Sequence, residues 1–197
     1  MAPCMHACKQ MMAPCAHVNK QTPVQVAGSD ELMVKITALV RRLVWLRDER
    51  PDEKSLVFSQ WPEALQIVER GLQLNGIRCV TLESGRRGRS AVKAFLNDDS
   101  CRVFLLSLRQ GAAGLTLVRA NHVFLLEPSL DPAIEQQAVA RVHRIGQERP
   151  VRVTRLLVEG SVEEKVMMML QVGGWSAGCW VQVSWSSAEL TDTLLCV

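Results

Sequence analysis

The chain has 197 residues, 48% of them apolar and 22% charged, with a net charge of +3, which fits one domain of ordinary size with a sizeable core. The charge excess is too small to argue for nucleic acid by itself, and with Tyr absent and Phe scarce no aromatic platform for single-stranded bases is evident. No apolar run approaches the roughly 18 residues that span a membrane, and Met1–Lys20, interrupted by His6, Lys9 and His17, lacks the continuous apolar stretch of a secretory signal. From the first residue, 1–28 is a low-order segment rich in Met, Ala, Cys, Pro and Gln, without periodicity. Ser29 is placed to cap a helix whose stripe is Leu32, Ile36, Leu39, Val40 and Leu43. Ser55–Phe58 reads as a buried strand. Pro62 opens a helix with Leu65, Val68 and Leu72 on one face, closed by Asn75 and Gly76. A second strand, Arg78–Leu82, is followed by a basic loop, Gly85–Arg89, and a helix from Ser90 to Leu96. Arg102–Ser107 and His122–Leu126 are the third and fourth strands. Pro132–Ile145 reads as a helix, Val151–Val158 as a fifth strand, and Ser161 with Glu164 as a capping box for a helix over Val162–Leu170.

Strands alternating with helices predict an α/β fold: a single lobe over 29–171 with a parallel sheet covered by helices on both faces, and poorly ordered ends. The tail, 172–197, differs in composition and holds Trp175, Trp180 and Trp185 among Gly and Ser. Its Trp180–Trp185 stretch could be an edge strand, a disordered end or an artefact of gene prediction. Seven scattered cysteines, an odd number, fit a reduced intracellular setting. Cys4, His6, Cys8, Cys15 and His17 are irregularly spaced and are not assigned to a metal. In an open parallel sheet, ligands bind beyond the carboxyl ends of the strands. The chemistry is therefore expected in the loops after Phe58, Ser107 and Leu126.

The most informative segment is QQAVARVHRIGQ, Gln136–Gln147. On a continuous helix Gln137, Arg141 and Arg144 share one face. Ile134, Ala138, Val142 and Ile145 share another, apolar one. Two neighbouring guanidiniums suit phosphate oxygens with a geometry lysine cannot copy. The plainer alternative is a solvated basic face near a helix C-terminus.

This segment resembles motif VI of Swi/Snf-type superfamily 2 DNA-dependent ATPases. His143 and Gln147 also match that pattern. KSLVFSQW (Lys54–Trp61) resembles the family's motif IV, and SLRQGAAGLTL (Ser107–Leu117) its motif V, both in the right order. EPSLDP (Glu127–Pro132) stands where the family usually carries an Asp-Pro followed by a Trp-Asn-Pro-like turn, so Glu for Asp and the missing Trp are departures. The resemblance spans about residues 30–171. Within the family it is nearest the SHPRH type, a helicase and ubiquitin ligase with linker-histone-like, PHD and RING modules.

The resemblance implies the second, C-terminal RecA-like lobe of an ATP-driven DNA motor in chromatin remodelling or DNA repair, in the nucleus. Arg141 and Arg144 would be arginine fingers, and Gln137 and Gly114 would serve ATP binding and coupling. Ser59, Gln60, Gly111 and Thr116 would meet the nucleic-acid backbone. The implied partners are double-stranded DNA or chromatin, a first RecA-like lobe, and ubiquitin machinery reached through a RING outside this chain.

A phosphate-cradling GxxxxGK[ST] loop is not found in these residues. ATP and Mg²⁺ would thus be held only together with a first lobe, and the chain alone is expected to show little or no ATPase activity. A stand-alone, non-catalytic α/β interaction or regulatory module (or a truncated gene product) is the alternative reading. An unrelated nucleotide-binding domain would need a Gly fingerprint after the first strand, which Phe58–Pro62 does not supply.

Overall fold

The computed structural model describes residues 26–28, 33–82, 86–108, 114–158, 160–172, 179–183 and 192–196. The strands are β1 (Ser55–Ser59), β2 (Cys79–Thr81), β3 (Val103–Ser107), β4 (His122–Leu125), β5 (Arg152–Val158), β6 (Cys179–Val183) and β7 (Asp192–Cys196). The helices are α1 (Val34–Glu49), α2 (Pro62–Leu74), α3 (Arg86–Asn97), α4 (Pro132–Val139) and α5 (Val162–Val172). They form one sheet of order β2-β3-β1-β4-β5-β6-β7. The strands from β1 to β5 are parallel throughout, as the alternating pattern predicts. β6 adds a further parallel strand beside β5, and β7 pairs with β6 antiparallel. Trp175 and Trp185 lie outside the described residues, as do Ser29 and residues 1–25.

Each central strand is apolar on both faces because both are covered. Val57, Val103, Leu105, Phe124 and Leu126 turn to one side, where they meet Ile36, Leu39, Val40 and Leu43 of α1 and Leu65, Val68 and Leu72 of α2. Their neighbours Leu56, Phe58, Phe104, Leu106, Val123 and Leu125 turn to the other, against Phe95 of α3 and Ala138 of α4. This is the period-two alternation of a pleated strand. Burying one such side chain stabilises by about 1.5–3 kcal/mol. Phe104→Ala, which also strips the ring packed against Phe95 at 5.2 Å, is the kind of change that costs about 3–5 kcal/mol.

Four boundaries differ from the sequence expectation. Helix α1 begins at Val34, with Met33 at its N-cap and no side-chain cap. The basic stretch is not a loop: Arg86–Arg89 form the first turn of α3. The segment expected as one helix over Pro132–Ile145 is helical only to Val139 and continues as tight turns. At α5, Ser161 Oγ accepts the Glu163 N–H at 3.2 Å, and it is Glu163 whose carboxylate reaches back, to the Val158 N–H at 3.0 Å.

The amino rim of the sheet is sealed by its own charges. Lys54, only 5% exposed at its side chain, donates to the Phe95 and Asp98 carbonyls at 2.6 and 2.8 Å. Burial lowers its pKa. His122 Nε2 meets Glu53, which also receives Arg50 at 3.3 Å and Arg152 at 3.6 Å. Arg149 donates to the Asp52 carbonyl at 2.5 Å.

Candidate functional site at the carboxyl rim

Two adjacent strands, β1 and β4, are followed by helices on opposite faces: α2 packs with α1, and α4 packs with α3. Their carboxyl ends therefore flank a topological switch point, where open α/β sheets bind ligands. Two segments meet at this rim, Ser59–Trp61 after β1 and Glu127–Asp131 after β4, while Gly114–Leu117 and Ala140–Gln147 lie side by side on the connections that return to the amino ends of β4 and β5.

Glu127 bridges the switch point. Its carboxylate accepts the Ser59 hydroxyl at 2.9 Å and the Gln60 N–H at 3.0 Å, and Gln60 Nε2 donates to the Pro128 carbonyl at 3.2 Å. Burial raises the Glu127 pKa, opposed by the Gln60 and Ser59 hydrogen bonds and by nearby Lys35. Lys35, from α1, donates to the Leu126 carbonyl at 2.8 Å and pairs with Glu163 of α5. Ser59 itself is buried, and its oxygen also accepts the Trp61 N–H at 3.0 Å. Of the two predicted contacts here, Ser59 braces the loop and Gln60 stands at the surface.

On the connection that leads into β4, Gly114 takes a left-handed φ of 63° that a side chain would strain. Thr116 follows, exposed, and Arg144 Nη1 donates to its hydroxyl at 3.0 Å. The Leu117 N–H donates to the Arg141 carbonyl at 2.9 Å. Gln137 is exposed on α4, Arg141 half-buried and Arg144 exposed. Because the helix ends at Val139, Gln137, Arg141 and Arg144 do not share one helical face. Of the apolar partners, Ala138 and Val142 are fully buried, whereas Ile145 is 99% exposed. The structure nevertheless gathers Arg141, Arg144, Thr116 and Gly114 into two apposed segments. Gly111 lies outside the described residues.

The helicase conserved C-terminal domain model matches residues 34–146, from the start of α1 to the turn that carries both arginines. The chain belongs to this family. It is 37% identical over 153 residues to human E3 ubiquitin-protein ligase SHPRH, covering 78% of this chain and 9% of that protein. It is 40% identical over 136 residues to the ATP-dependent helicase rhp16 of Schizosaccharomyces pombe (68% of this chain, 16% of the relative). It is also 40% identical over 137 residues to the DNA repair protein RAD5 of Cryptococcus neoformans (68% and 11%). The chain thus spans a small part of the length of these relatives. In three dimensions it resembles the crystal structure of the C-terminal part of the Fun30 ATPase domain, with a TM-score of 0.64 and 32% identity over 68% of this chain and 44% of that one. The likeness to Swi/Snf-type helicase lobes drawn from the motifs therefore stands, and with it the RecA-like fold.

Beneath the exposed rim of this helicase lobe lies a buried brace that motif matching does not reveal. Arg155, in the middle of β5, pairs with Glu135 of α4 at 2.8 Å, both side chains at most 6% exposed. Glu135 also accepts the Ser129 N–H at 2.8 Å. Asp131 caps α4 by accepting the Ala133 N–H at 2.9 Å. A charge inside the apolar strand VRVTRLLV was the signal available in the sequence, since a buried guanidinium requires a partner. Glu127 and Gln147 were visible only as a departure from the motif and a match to it. Their hydrogen bonds depend on residues 67 and 27 positions away.

Proposed function

We propose that this lobe is the second half of an ATP-driven motor that moves on duplex DNA, in nuclear repair or chromatin remodelling, and that it acts by closing onto a nucleotide gripped mainly by a first lobe. The observation that carries the reading is the pairing of two turns: exposed Arg144 sits 3.0 Å from the Thr116 hydroxyl, on segments whose order and wording match the family's motifs V and VI. Arg141 and Arg144 would meet the side of a triphosphate that needs cations, and ATP and Mg²⁺ would be held together with a first lobe.

ATP supplies the transferable phosphoryl group. The guanidiniums of Arg141 and Arg144 offset the charge that develops on it, with donors whose planar forks match phosphate oxygens. Gly114, two residues before Thr116, and Gln137, on α4, would serve ATP binding and coupling. Gln60 and Thr116 face the nucleic-acid backbone, with Ser59 and Glu127 holding the first of these loops. Such contacts are sequence-independent and weaken as salt rises. The names of the relatives add a ubiquitin-ligase context, to which this chain would contribute as the motor lobe.

The test joins the chain to a P-loop lobe and measures DNA-stimulated ATP turnover. Arg144→Ala should remove turnover while the melting temperature holds, and Arg144→Lys should not restore it, because an ammonium lacks the fork. Unchanged turnover in Arg144→Ala would sink the motor reading and favour a non-catalytic interaction module. The 197-residue chain by itself should hydrolyse ATP no faster than buffer.

A further inference from the structure

The two arginines ride on a segment that is not a helix, so something other than helical geometry must fix where their side chains begin. From Ala140 to Gln147 the backbone closes a series of tight turns: Val142 N–H to the Val139 carbonyl, Arg144 N–H to Val142, and Gln147 N–H to Arg144. Gly146 sits at a φ of 99°, in the left-handed region. His143, Arg144, Ile145 and Gly146 are all exposed. Apolar burial anchors this segment only at Val142, which is 0% exposed. Turns with so little packing are expected to sample several arrangements unless side chains tie them down.

One side chain does so. Gln147 Nε2 donates to the Ala120 carbonyl at 2.7 Å and to the Val142 carbonyl at 3.3 Å, and Gln147 Oε1 accepts the Arg149 N–H at 3.0 Å. Two carbonyls and one N–H surround the amide, so only a group that both donates and accepts satisfies all three. Ala120 closes the turn that begins at Leu117, where its N–H donates to the Leu117 carbonyl. The Leu117 N–H in turn holds the Arg141 carbonyl, and Arg144 holds Thr116. The amide therefore ties the arginine-bearing turns to the Thr116 segment at the far end from the Arg144–Thr116 contact. The Arg149 side chain continues the frame to the Asp52 carbonyl on the amino rim.

We propose that Gln147 is a positioning residue for the arginine segment: its amide sets the reach of Arg144 toward a phosphate without touching the phosphate itself. This rests on the reading of Arg144 given above. Transition-state stabilisation by a guanidinium is sensitive to placement, and an error near 1 Å can cost on the order of 100-fold. Gln147→Glu is nearly isosteric but turns the donor into an acceptor facing two carbonyls. Gln147→Met keeps the bulk and removes both functions without adding charge.

The experiment uses the two-lobe motor and the 197-residue chain in parallel. In the motor, Gln147→Glu and Gln147→Met should each lower kcat by about tenfold or more, leaving the DNA concentration for half-stimulation and the melting temperature unchanged. Adding Gln147→Glu to Arg144→Ala should lower kcat no further, because a residue that acts through Arg144 has nothing left to position. In the 197-residue chain, the Arg149 amide should exchange with deuterium faster in both variants. Should Gln147→Glu melt early, Gln147→Met decides. Wild-type kcat in Gln147→Met, with Arg144→Ala inactive, overturns the positioning role and leaves the arginine reading intact. Independent, multiplicative losses in the double variant overturn it as well. An active Arg144→Ala overturns both.

Discussion

The amino rim of the sheet and the turns beside it have opposite chemistry. At the amino rim, charged side chains are spent on the protein: Lys54 on two carbonyls, Glu53 on His122, Arg50 and Arg152, and Arg149 on a turn carbonyl. On the turns that lead into β4 and β5, Thr116 and Arg144 stand exposed, as Gln137 does on α4, while buried polar groups at the carboxyl rim, Ser59 and Glu135, hold other loops in place. Sealing the rim makes the sheet rigid. Leaving side chains exposed on the turns keeps them available to a ligand, and such sites need a firm base beneath them. Substitutions in the two regions should accordingly fail in different ways.

The largest separation is expected from Arg144→Ala set against Lys54→Ala. In a two-lobe motor, Arg144→Ala should reduce turnover by on the order of 10³-fold with no change in the urea midpoint, since the side chain is exposed. Lys54→Ala takes the ammonium from the Phe95 and Asp98 carbonyls, of which Asp98 still accepts the Cys101 N–H at 3.1 Å. It should lower stability by roughly 1–3 kcal/mol, while turnover per folded molecule is preserved. Turnover lost in folded Lys54→Ala would show that the amino rim is coupled to the chemistry and would break the comparison.

Next in size is Glu135→Ala, which tests the buried base of the lobe. It removes the carboxylate paired with Arg155 in the core and the acceptor of the Ser129 N–H. Breaking one side of a buried pair costs about 3–5 kcal/mol, measured as a shift of the urea midpoint. Replacing both partners together, Glu135→Leu with Arg155→Leu, should recover much of that loss. A double variant as unstable as Glu135→Ala would mean that the Ser129 bond, not the broken ion pair, carries the penalty.

How much of this could be read in the sequence follows from the range of each interaction. The strands and their parallel pairing were legible because apolar runs and β-to-α alternation are local signals. The segments carrying Gly114 and the arginines stood out as motif matches, because their spacing is fixed. The end of α4 was not, since AVARVHRI contains no residue that forbids a helix. The helix stops where the Arg141 carbonyl is taken by the Leu117 N–H and Val142 turns into the core, and tertiary contacts override propensity there. The basic stretch Gly85–Arg89 read as a loop, yet the turn from Arg86 to Arg89 is helical. Neither Glu127 across the switch point nor Glu53 beneath His122 leaves a local trace, because each bond joins residues nearly 70 positions apart.

A smaller effect should come from pH, and at the amino rim. The hydrogen bond from His122 holds the Glu53 carboxyl down to about 2, aided by Arg50. His122 is lowered chiefly by burial, against the pull of Glu53 and with Arg152 and Arg42 opposing its charge. Both folded values lie below the ordinary ones, so protonation favours the unfolded chain in each case. Stability should be complete above pH 6.5, decline first as His122 is forced to charge, and decline again from pH 4.5 toward about 2 as Glu53 protonates. Urea midpoints between pH 7.5 and 3 would show this, and His122→Gln should flatten the upper part of the slope. A midpoint that rises on acidification to pH 5 would mean that His122 is charged in the folded state.

The smallest expected effect, and the one that best resolves the exposed turns, belongs to Thr116→Val. The hydroxyl is exposed and bonded to Arg144, so its loss should move the folding midpoint by no more than about 0.5 kcal/mol. Its functional consequence depends on which of its two neighbours it serves. If the hydroxyl serves chiefly to orient Arg144, kcat should fall several-fold at saturating DNA, and the loss should vanish in an Arg144→Ala background. If it meets a backbone phosphate, kcat at saturation should hold while DNA affinity weakens at every salt concentration. The salt slope should stay the same, because a neutral donor releases no counterion. Thr116→Ser should restore either function. A drop in kcat that persists without Arg144, together with weaker DNA binding, would mean that Thr116 acts on both sides of the motor at once, as an exposed hydroxyl beside the guanidinium allows.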